Sequence, residues 1–454
     1  MRRKLASSFL FTALSSGLFF LFNFALAKIL GAKVYGEIVY YISFINIMAL
    51  AIGISHPSLY MGSRIGEKQK HTFSLFFTIE TLLFLVFALP SFFIISLYVE
   101  QIYAVVLIMF IAYFLVIIFA FGLEYNANEK VSTSILLSTL LPRVTLILFF
   151  TTCILFGYGV PMYYLYAYFG STFLFFIFTV YKMRPKFFME KKILSRAWKF
   201  YLIGIIGTSF TYIAQILQKE YGNYAQLATL SVTLLFFAGL SLVGTVLVKF
   251  LLPKIHAYYR DRKIEKIAEI YADNTQLILL LILPLLLVLV FNMEEIAVLL
   301  GKGYEMLPGF FYILSVGYFV NIVTGMTGNL LRATQNEHFE IYNEAGRMIF
   351  GLGLIYWLNS YPYGIAVAIS VSMIVYNLLK YMEIYYLFGF VPIRRDAVLK
   401  TLFPASVFLV LLYGIENVGM IWVRFILDIL LVAAVYGMIY RYIRTNPHIL
   451  KRYR

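Results

Sequence analysis

Long apolar segments recur along this chain, and they constrain its fold more than any other feature. Fourteen are found, near 5–27, 36–60, 72–98, 102–123, 131–157, 160–181, 200–218, 225–252, 275–292, 309–331, 341–358, 363–388, 399–416 and 418–440. Each is close to the ~20 residues that a helix needs to cross ~30 Å of hydrocarbon. Backbone groups in hydrocarbon must find their hydrogen bonds within the protein, so segments of this length read as helices. The expected fold is an all-α polytopic membrane protein with about 14 transmembrane helices. Composition agrees: 62% of the 454 residues are hydrophobic and only 13% are charged, where a soluble chain has about 25% charged.

Lysine and arginine placement fixes an expected orientation. Alternate loops carry Arg2, Arg3 and Lys4; Arg64, Lys68 and Lys70; Lys130; seven basic residues from Lys182 to Lys199; five from Lys254 to Lys266; Arg332; Arg394, Arg395 and Lys400; and five from Arg441 to Arg454, 28 in all. The opposite loops carry only Lys28, Lys33, Lys219 and Lys302. The positive-inside rule then puts both termini in the cytoplasm, for a multi-pass protein of the cell membrane. The net charge of +15 mostly reports this topology and gives no reason to expect nucleic acid. Basic Met1–Lys4 and the Ala25-Leu26-Ala27 triplet imitate a signal peptide, but the intervening apolar run exceeds the usual 7–15 residues and reads as an uncleaved first helix.

The loops exclude several functions. Those on the outer side are too short for a folded catalytic domain, and no Walker A, HExxH or GxSxG pattern appears. A single cysteine, Cys153, and five scattered histidines provide no metal-ligand spacing, so no cofactor is expected. In the basic connections 182–199 and 253–274, the residues Ile264, Ile267, Ala268 and Tyr271, and more loosely Phe187, Leu194 and Trp198, follow helical spacing. These suggest interfacial helices on an anionic inner leaflet.

The two halves echo one another. "NEKVSTS" (128–134) precedes the fifth helix and "YGV" (158–160) the sixth, while "NEHFEIY" (336–342) and "YGI" (363–365) stand before the eleventh and twelfth. "YGEI" (35–38) and "YAQL" (224–227) form a fainter pair. The expected organisation is an N-lobe of six helices (1–181), a basic linker (182–199), a C-lobe of six (200–388) and a C-terminal helix pair with a basic tail (389–454). Same-orientation repeats imply a pseudo-twofold axis along the membrane normal.

The stretches "LAKILGAKVYGEI" (26–38), "FLLPKIHAYYRDRKIEKIAEIYADN" (250–274), "LLGKGYE" (299–305), "GNLLRATQNEHFEIYNEAG" (328–346) and "YPYGIAVAIS" (361–370) carry a resemblance. In their order and spacing, over roughly 1–390, the chain resembles the polysaccharide-transport branch of the multidrug/oligosaccharidyl-lipid/polysaccharide flippase superfamily, which includes the Wzx-type O-antigen flippases. Lys28 stands where that family usually has arginine. The resemblance implies a flippase and not an enzyme. Its cargo would be an oligosaccharide on a polyprenyl diphosphate, moved from the inner to the outer leaflet by alternating access and driven by an H+ or Na+ gradient. It also implies that the first, second, seventh and eighth helices frame a central cavity. A monomer with two internal lobes is the expected state. A cation-coupled multidrug exporter of the same fold is the alternative; a glycan polymerase or ligase lacks the external loops it would need, and a scaffold on anionic lipids is a remote fourth reading.

Charges within the spans are the candidate functional residues, because one at mid-membrane depth costs roughly 2.5–3.5 kcal/mol. Arg143 lies about twelve residues into the fifth helix, ~18 Å at 1.5 Å per residue. It shares a helical face with Ser132 and Thr139 and has no acid one turn away. A diphosphate suits its guanidinium; pairing with Glu80 or Glu124 is the competing reading. The eleventh helix carries Glu340, Asn343, Glu344 and Arg347 on one stripe, either as a Glu344–Arg347 pair or as a wet wall with a proton-carrying carboxylate. Arg424 and Asp428, four apart, suggest an internal pair. Lys249, Arg64 and Arg332 sit near cytoplasmic helix ends, as snorkelling or topology residues or as captors of an anionic head group. His56, before Pro57, is a structural histidine or a titrating gate. Glu80, Glu344 and His56 are thus the candidates for ion coupling. Asn46, Gln215, Asn321 and Asn329 could line a sugar path or pack between helices.

Overall fold

The computed structural model describes residues 2–54, 72–128, 130–189, 191–390, 407–415 and 421–445. His56 and Arg64 lie outside them, and the side chain of Lys249 is also not described. Among the described residues there are helices and no strands, and ten helical stretches are long and apolar enough to cross a membrane. The protein is an all-α polytopic membrane protein. It divides into two compact units, residues 1–231 and 232–454.

The first unit begins with α1 (Arg2–Ile52), which holds the first two predicted spans as one broken helix. The break is at Gly31, whose φ of 76° lies in the region that favours glycine. Then come α2 (Thr72–Ser96), α3 (Ile102–Ala127), α4 (Val131–Leu155), α5 (Pro161–Met183) and α6 (Lys191–Tyr221). The helix α7 (Tyr224–Arg260) starts in the first unit and continues into the second. Close helix contacts depend on small residues. At Gly122 a Cβ would come within 2.3 Å of the Ser138 hydroxyl, and at Gly36 within 1.9 Å of the Tyr224 carbonyl oxygen. That second contact joins the two faint sequence echoes, "YGEI" and "YAQL". Around it, the Tyr40 hydroxyl donates to Glu220 at 2.5 Å, and Ser43 donates to Gln215 at 3.0 Å.

The second unit continues with α8 (Ile264–Phe291), α9 (Met293–Leu300), α10 (Leu307–Thr324), α11 (Thr327–Ala333), α12 (Glu337–Leu358), α13 (Gly364–Phe388), α14 (407–415) and α15 (Ile421–Thr445). The echoed segments keep similar places: Asn128 and Asn336 stand before α4 and α12, and Tyr158 and Tyr363 before α5 and α13. The motif "LLGKGYE" is a turn. Gly301 and Gly303 have φ of 97° and 92°, and the Gly303 N–H donates to the Glu305 carboxylate at 3.0 Å, which holds that exposed carboxyl below its usual range. The tenth predicted span is interrupted at Gly325 (φ 73°), where the Tyr271 hydroxyl takes up the Thr324 carbonyl. The α10–α13 pair packs through Gly317, whose Cβ would meet Ser370 at 2.8 Å, and Ser370 donates to the Ile313 carbonyl at 2.8 Å.

The structure alters two expectations here. Residues 264–271 are not a separate interfacial helix but the first turns of α8. Ile267 and Tyr271 are fully buried against Leu330, Leu331 and Ile255, so tertiary packing and not a lipid surface covers the apolar stripe. Of the second interfacial set, Leu194 and Trp198 fall on α6 with side chains that are not described, and exposed Phe187 lies edge-on to Phe77 at 6.2 Å. The C-terminal pair differs too. Arg424 does not pair with Asp428 along α15. It binds Glu295 at 2.6 Å and the Phe291 carbonyl, while Asp428 accepts from Asn292 at 2.7 Å. Both charges are buried, so each is met across to the α8–α9 junction instead of by its own turn.

Candidate functional site

Arg143 stands just after an irregularity in α4. Residues Leu136–Leu140 form a π turn, closed by the Leu141 N–H on the Leu136 carbonyl. Pro142 accounts for it: a proline has no N–H for the Ser138 carbonyl and its ring crowds that carbonyl, which a wider turn relieves. Serine hydroxyls tie the segment to its neighbours. Ser138 donates to Ser134 at 2.8 Å, Ser134 to Gly122 at 2.6 Å, and Ser171 of α5 to the Pro142 carbonyl at 2.7 Å. The wide turn also means that the 3.6-residue spacing linking Ser132 to Arg143 does not carry across it.

The guanidinium reaches the first arm of α1. Its Nη1 donates to the Ser15 hydroxyl at 3.2 Å and the Ser15 carbonyl at 3.3 Å, and its carbon sits 4.5 Å over the Phe19 ring. Ser15 and Phe19 are one turn apart, so one face of α1 supplies a dipole and a π surface together. Tyr168 of α5 is close enough to feel the charge. No carboxylate among the described residues lies within ion-pair distance of Arg143. The expected alternative of pairing with Glu80 or Glu124 is therefore not seen. Glu80 is fully buried on α2, and Glu124 accepts from Asn128 at 3.4 Å. The residue is half-buried, and its remaining N–H groups have no hydrogen-bond partner among the described residues.

The second polar site joins α11, α12 and α13. On α12, Glu340, Asn343 and Glu344 are buried and Arg347 is half-buried. Arg347 binds Glu344 at 2.7 Å. Lys380 of α13, which sequence reasoning missed, enters between the two acids, 2.7 Å from Glu344 and 3.2 Å from Glu340. Asn343 donates to Glu383 of α13 at 2.7 Å. Gly328 makes room for the cluster, since a Cβ there would lie 2.4 Å from a Glu340 oxygen. Arg332 bonds locally, to Asn329 at 2.9 Å and the Gly328 carbonyl at 3.3 Å, and lies near Glu344. Glu344 thus has a cation on each oxygen, and the stripe largely neutralises itself.

The neutral candidates are mostly tied down. Asn46 donates to the Ile42 carbonyl of its own helix at 2.9 Å, and Gln215 bridges Ser43 and Ser231 at 3.0 and 3.3 Å. The structure brings Arg332, Glu344 and Arg347 into one region of the second unit and keeps Arg143 in the first. Among the described residues no group of histidine, cysteine, aspartate and glutamate could hold a metal ion.

No family model matches the chain, and no curated protein matches it. Solved structures do. The chain is similar to a structure described as the lipid II flippase MurJ in an inward closed conformation, with a TM-score of 0.73 and 15% identity, covering 96% of this chain and 98% of that one. It is similar to an inward-facing multidrug resistance MATE family transporter of the MOP superfamily, with a TM-score of 0.62 and 17% identity, over 82% of this chain and 94% of that one. A MOP superfamily transporter from Pyrococcus furiosus gives a TM-score of 0.61 at 14% identity over 85% and 95%. At these identities the likeness establishes the fold that the chain shares with these transporters.

Proposed function

We propose that the chain is a flippase that moves a polyprenyl-diphosphate-linked oligosaccharide from the cytoplasmic to the outer leaflet by alternating access, driven by an H+ or Na+ gradient. In this reading 1–181 and 200–388 are the two working lobes, both termini are cytoplasmic, and the protein acts as a monomer in the cytoplasmic membrane. The observation that carries the reading is Arg143. A mid-span guanidinium met only by a serine, a carbonyl and an aromatic face among the described residues keeps donors for an anion. A diphosphate supplies oxygens in the geometry of the guanidinium fork. A similar fold in a protein described as a lipid II flippase supports a lipid-linked cargo.

The second reading is a cation-coupled multidrug exporter, favoured by the MATE structures of similar fold. A cationic drug asks for an exposed carboxylate deep in the spans. Here Glu340 and Glu344 already face Lys380 and Arg347, which favours the anionic cargo.

The test is reconstitution in liposomes with a fluorescent lipid-linked oligosaccharide. Arg143→Ala is expected to abolish flipping with little change in melting temperature, because no carboxylate among the described residues is left unpaired. Arg143→Lys keeps the charge, loses the fork, and should recover part of the rate. An active, stable Arg143→Ala protein refutes the assignment, and efflux of a cationic dye without flipping would establish the exporter.

A further inference from the structure

A cavity of about 800 Å³ opens in the second unit where the end of α7, the turn into α8 and the end of α11 meet, lined by His256, Tyr259, Arg260, Arg262, Ile264 and Gln335. The positive-inside reading assigns this end to the cytoplasm. The cavity belongs to neither polar site above, and it draws on two of the sequence motifs, 250–274 and 328–346.

Its backbone is unusual. Among the described residues, three non-glycine residues have positive φ: Arg184 in the first unit, and Arg262 (58°) and Gln335 (62°), which both line this cavity. Each of these two ends a helix in the left-handed conformation. The following N–H closes the cap, Lys263 on the Tyr258 carbonyl and Asn336 on the Leu331 carbonyl, both at 2.9 Å. Glycine is the preferred residue at such a position because a Cβ is disfavoured there. The chain twice keeps a side chain where glycine would fit the backbone better, and both side chains face one cavity. Topology explains a positive charge on this loop; it does not explain an arginine on the left-handed residue, nor a glutamine on the second one. Backbone strain of this kind concentrates where a side chain has a task.

The charges are available. Asp261 faces both Arg260 and Lys263 at 3.5 Å, long contacts at exposed positions of the kind that contribute little. Arg262 has no carboxylate within ion-pair distance among the described residues. Two guanidinium groups, an imidazole, a phenol and an amide belong to the residues that line the cavity. The volume exceeds that of an inorganic phosphate and suits a phosphate with an organic group attached.

We propose that this cavity binds a phosphate-bearing anion, held by Arg260 and Arg262 with Gln335 as a neutral donor. A phospholipid head group and a soluble phosphate ester share the required chemistry. The site is independent of the flippase reading and of Arg143.

The experiment uses the full-length protein in detergent micelles. Native mass spectrometry follows titrated phosphatidylglycerol, with phosphatidylcholine as the neutral control, and calorimetry follows inorganic phosphate and glycerol 3-phosphate. Three variants are compared with the parent: Arg262→Gly, Gln335→Gly and Arg260→Gln. Loss of one charge-assisted contact is expected to weaken binding on the order of tenfold for each arginine variant. Without ligand, Arg262→Gly and Gln335→Gly should melt no lower than the parent, because glycine relieves the left-handed residue. Selective loss of phosphatidylglycerol identifies a lipid head group, and loss of glycerol 3-phosphate or phosphate binding identifies a soluble anion. The proposal is overturned if both arginine variants bind every probe as the parent does. It is equally overturned if Arg262→Gly melts lower while Arg260→Gln binds normally, since Arg262 would then serve the turn alone.

Discussion

Lys380 is the most informative residue to remove. It is buried, with its ammonium 2.7 Å from Glu344 and 3.2 Å from Glu340. Lys380→Met keeps most of the side-chain volume and removes only the charge. Breaking a buried ion pair from one side costs about 3–5 kcal/mol, because the abandoned carboxylate stays buried without its partner. The two acids do not suffer equally. Glu344 retains Arg347 at 2.7 Å, whereas Glu340 has no other cation within ion-pair distance among the described residues. Most of the loss should therefore come from Glu340. Glu340→Gln added to Lys380→Met should recover more than Glu344→Gln does, with a coupling of about 1–3 kcal/mol in the double-mutant cycle. Thermal and denaturant unfolding of the purified variants in one detergent measures this. Additive effects of Lys380→Met and Glu340→Gln, or a better rescue by Glu344→Gln, would refute the distribution of charge described here.

Two further outcomes test the packing. Arg424→Ala and Glu295→Ala should each destabilise the attachment of α15 to the α8–α9 junction, and together cost little more than one alone, as seen in a double-mutant cycle on the melting temperature; full additivity would mean that the 2.6 Å contact does not form. Gly36→Ala places a Cβ 1.9 Å from a main-chain oxygen that cannot rotate away, so it should cost about 1–3 kcal/mol as overpacking, whereas a neutral effect would show that the α1–α7 approach is looser than described.

The spans were legible because hydrocarbon leaves a twenty-residue apolar segment few alternatives to a helix. The gap between the first two spans was legible, but not that Gly31 alone would break one continuous helix there. Partnership was less legible. Arg143 stood out as a charge in an apolar run, yet Ser15 and Phe19 are common residues far away in sequence, and nothing local marks them. Pro142 is the residue that signals the π turn, since a proline inside a helix displaces the preceding turn, and the regular 3.6-residue face from Ser132 to Arg143 does not survive it. Lys380 is a charge in an apolar run, as Arg143 is, but its partners Glu340 and Glu344 lie on a different helix, so no spacing within α13 marks them. Arg424 and Asp428 show the limit of intrahelical spacing. A separation of four permits a pair, but both side chains face a packed neighbour that offers each a partner of its own.

The two polar sites differ in what a ligand must displace. In the α11–α13 cluster each buried charge is met by an opposite charge: recruiting Arg347 or Lys380 to an anion would leave Glu344 or Glu340 buried with less compensation, a loss of several kcal/mol. Arg143 is met by a hydroxyl, a carbonyl and a ring face. Those hydrogen bonds have one ionised partner, the guanidinium, and contribute about 1.5–3 kcal/mol each; a phosphate oxygen would make both partners ionised and add the attraction of opposite charges. In the proposed flippase reading, exchanging Ser15 for a phosphate oxygen would leave no carboxylate stranded and could be reversed when the anion departs. A transport site must both bind and release. In the flippase reading Arg143 is a cation whose present partners leave no carboxylate stranded in either step, and this, more than its depth alone, is the reason to propose the cargo's charge beside it.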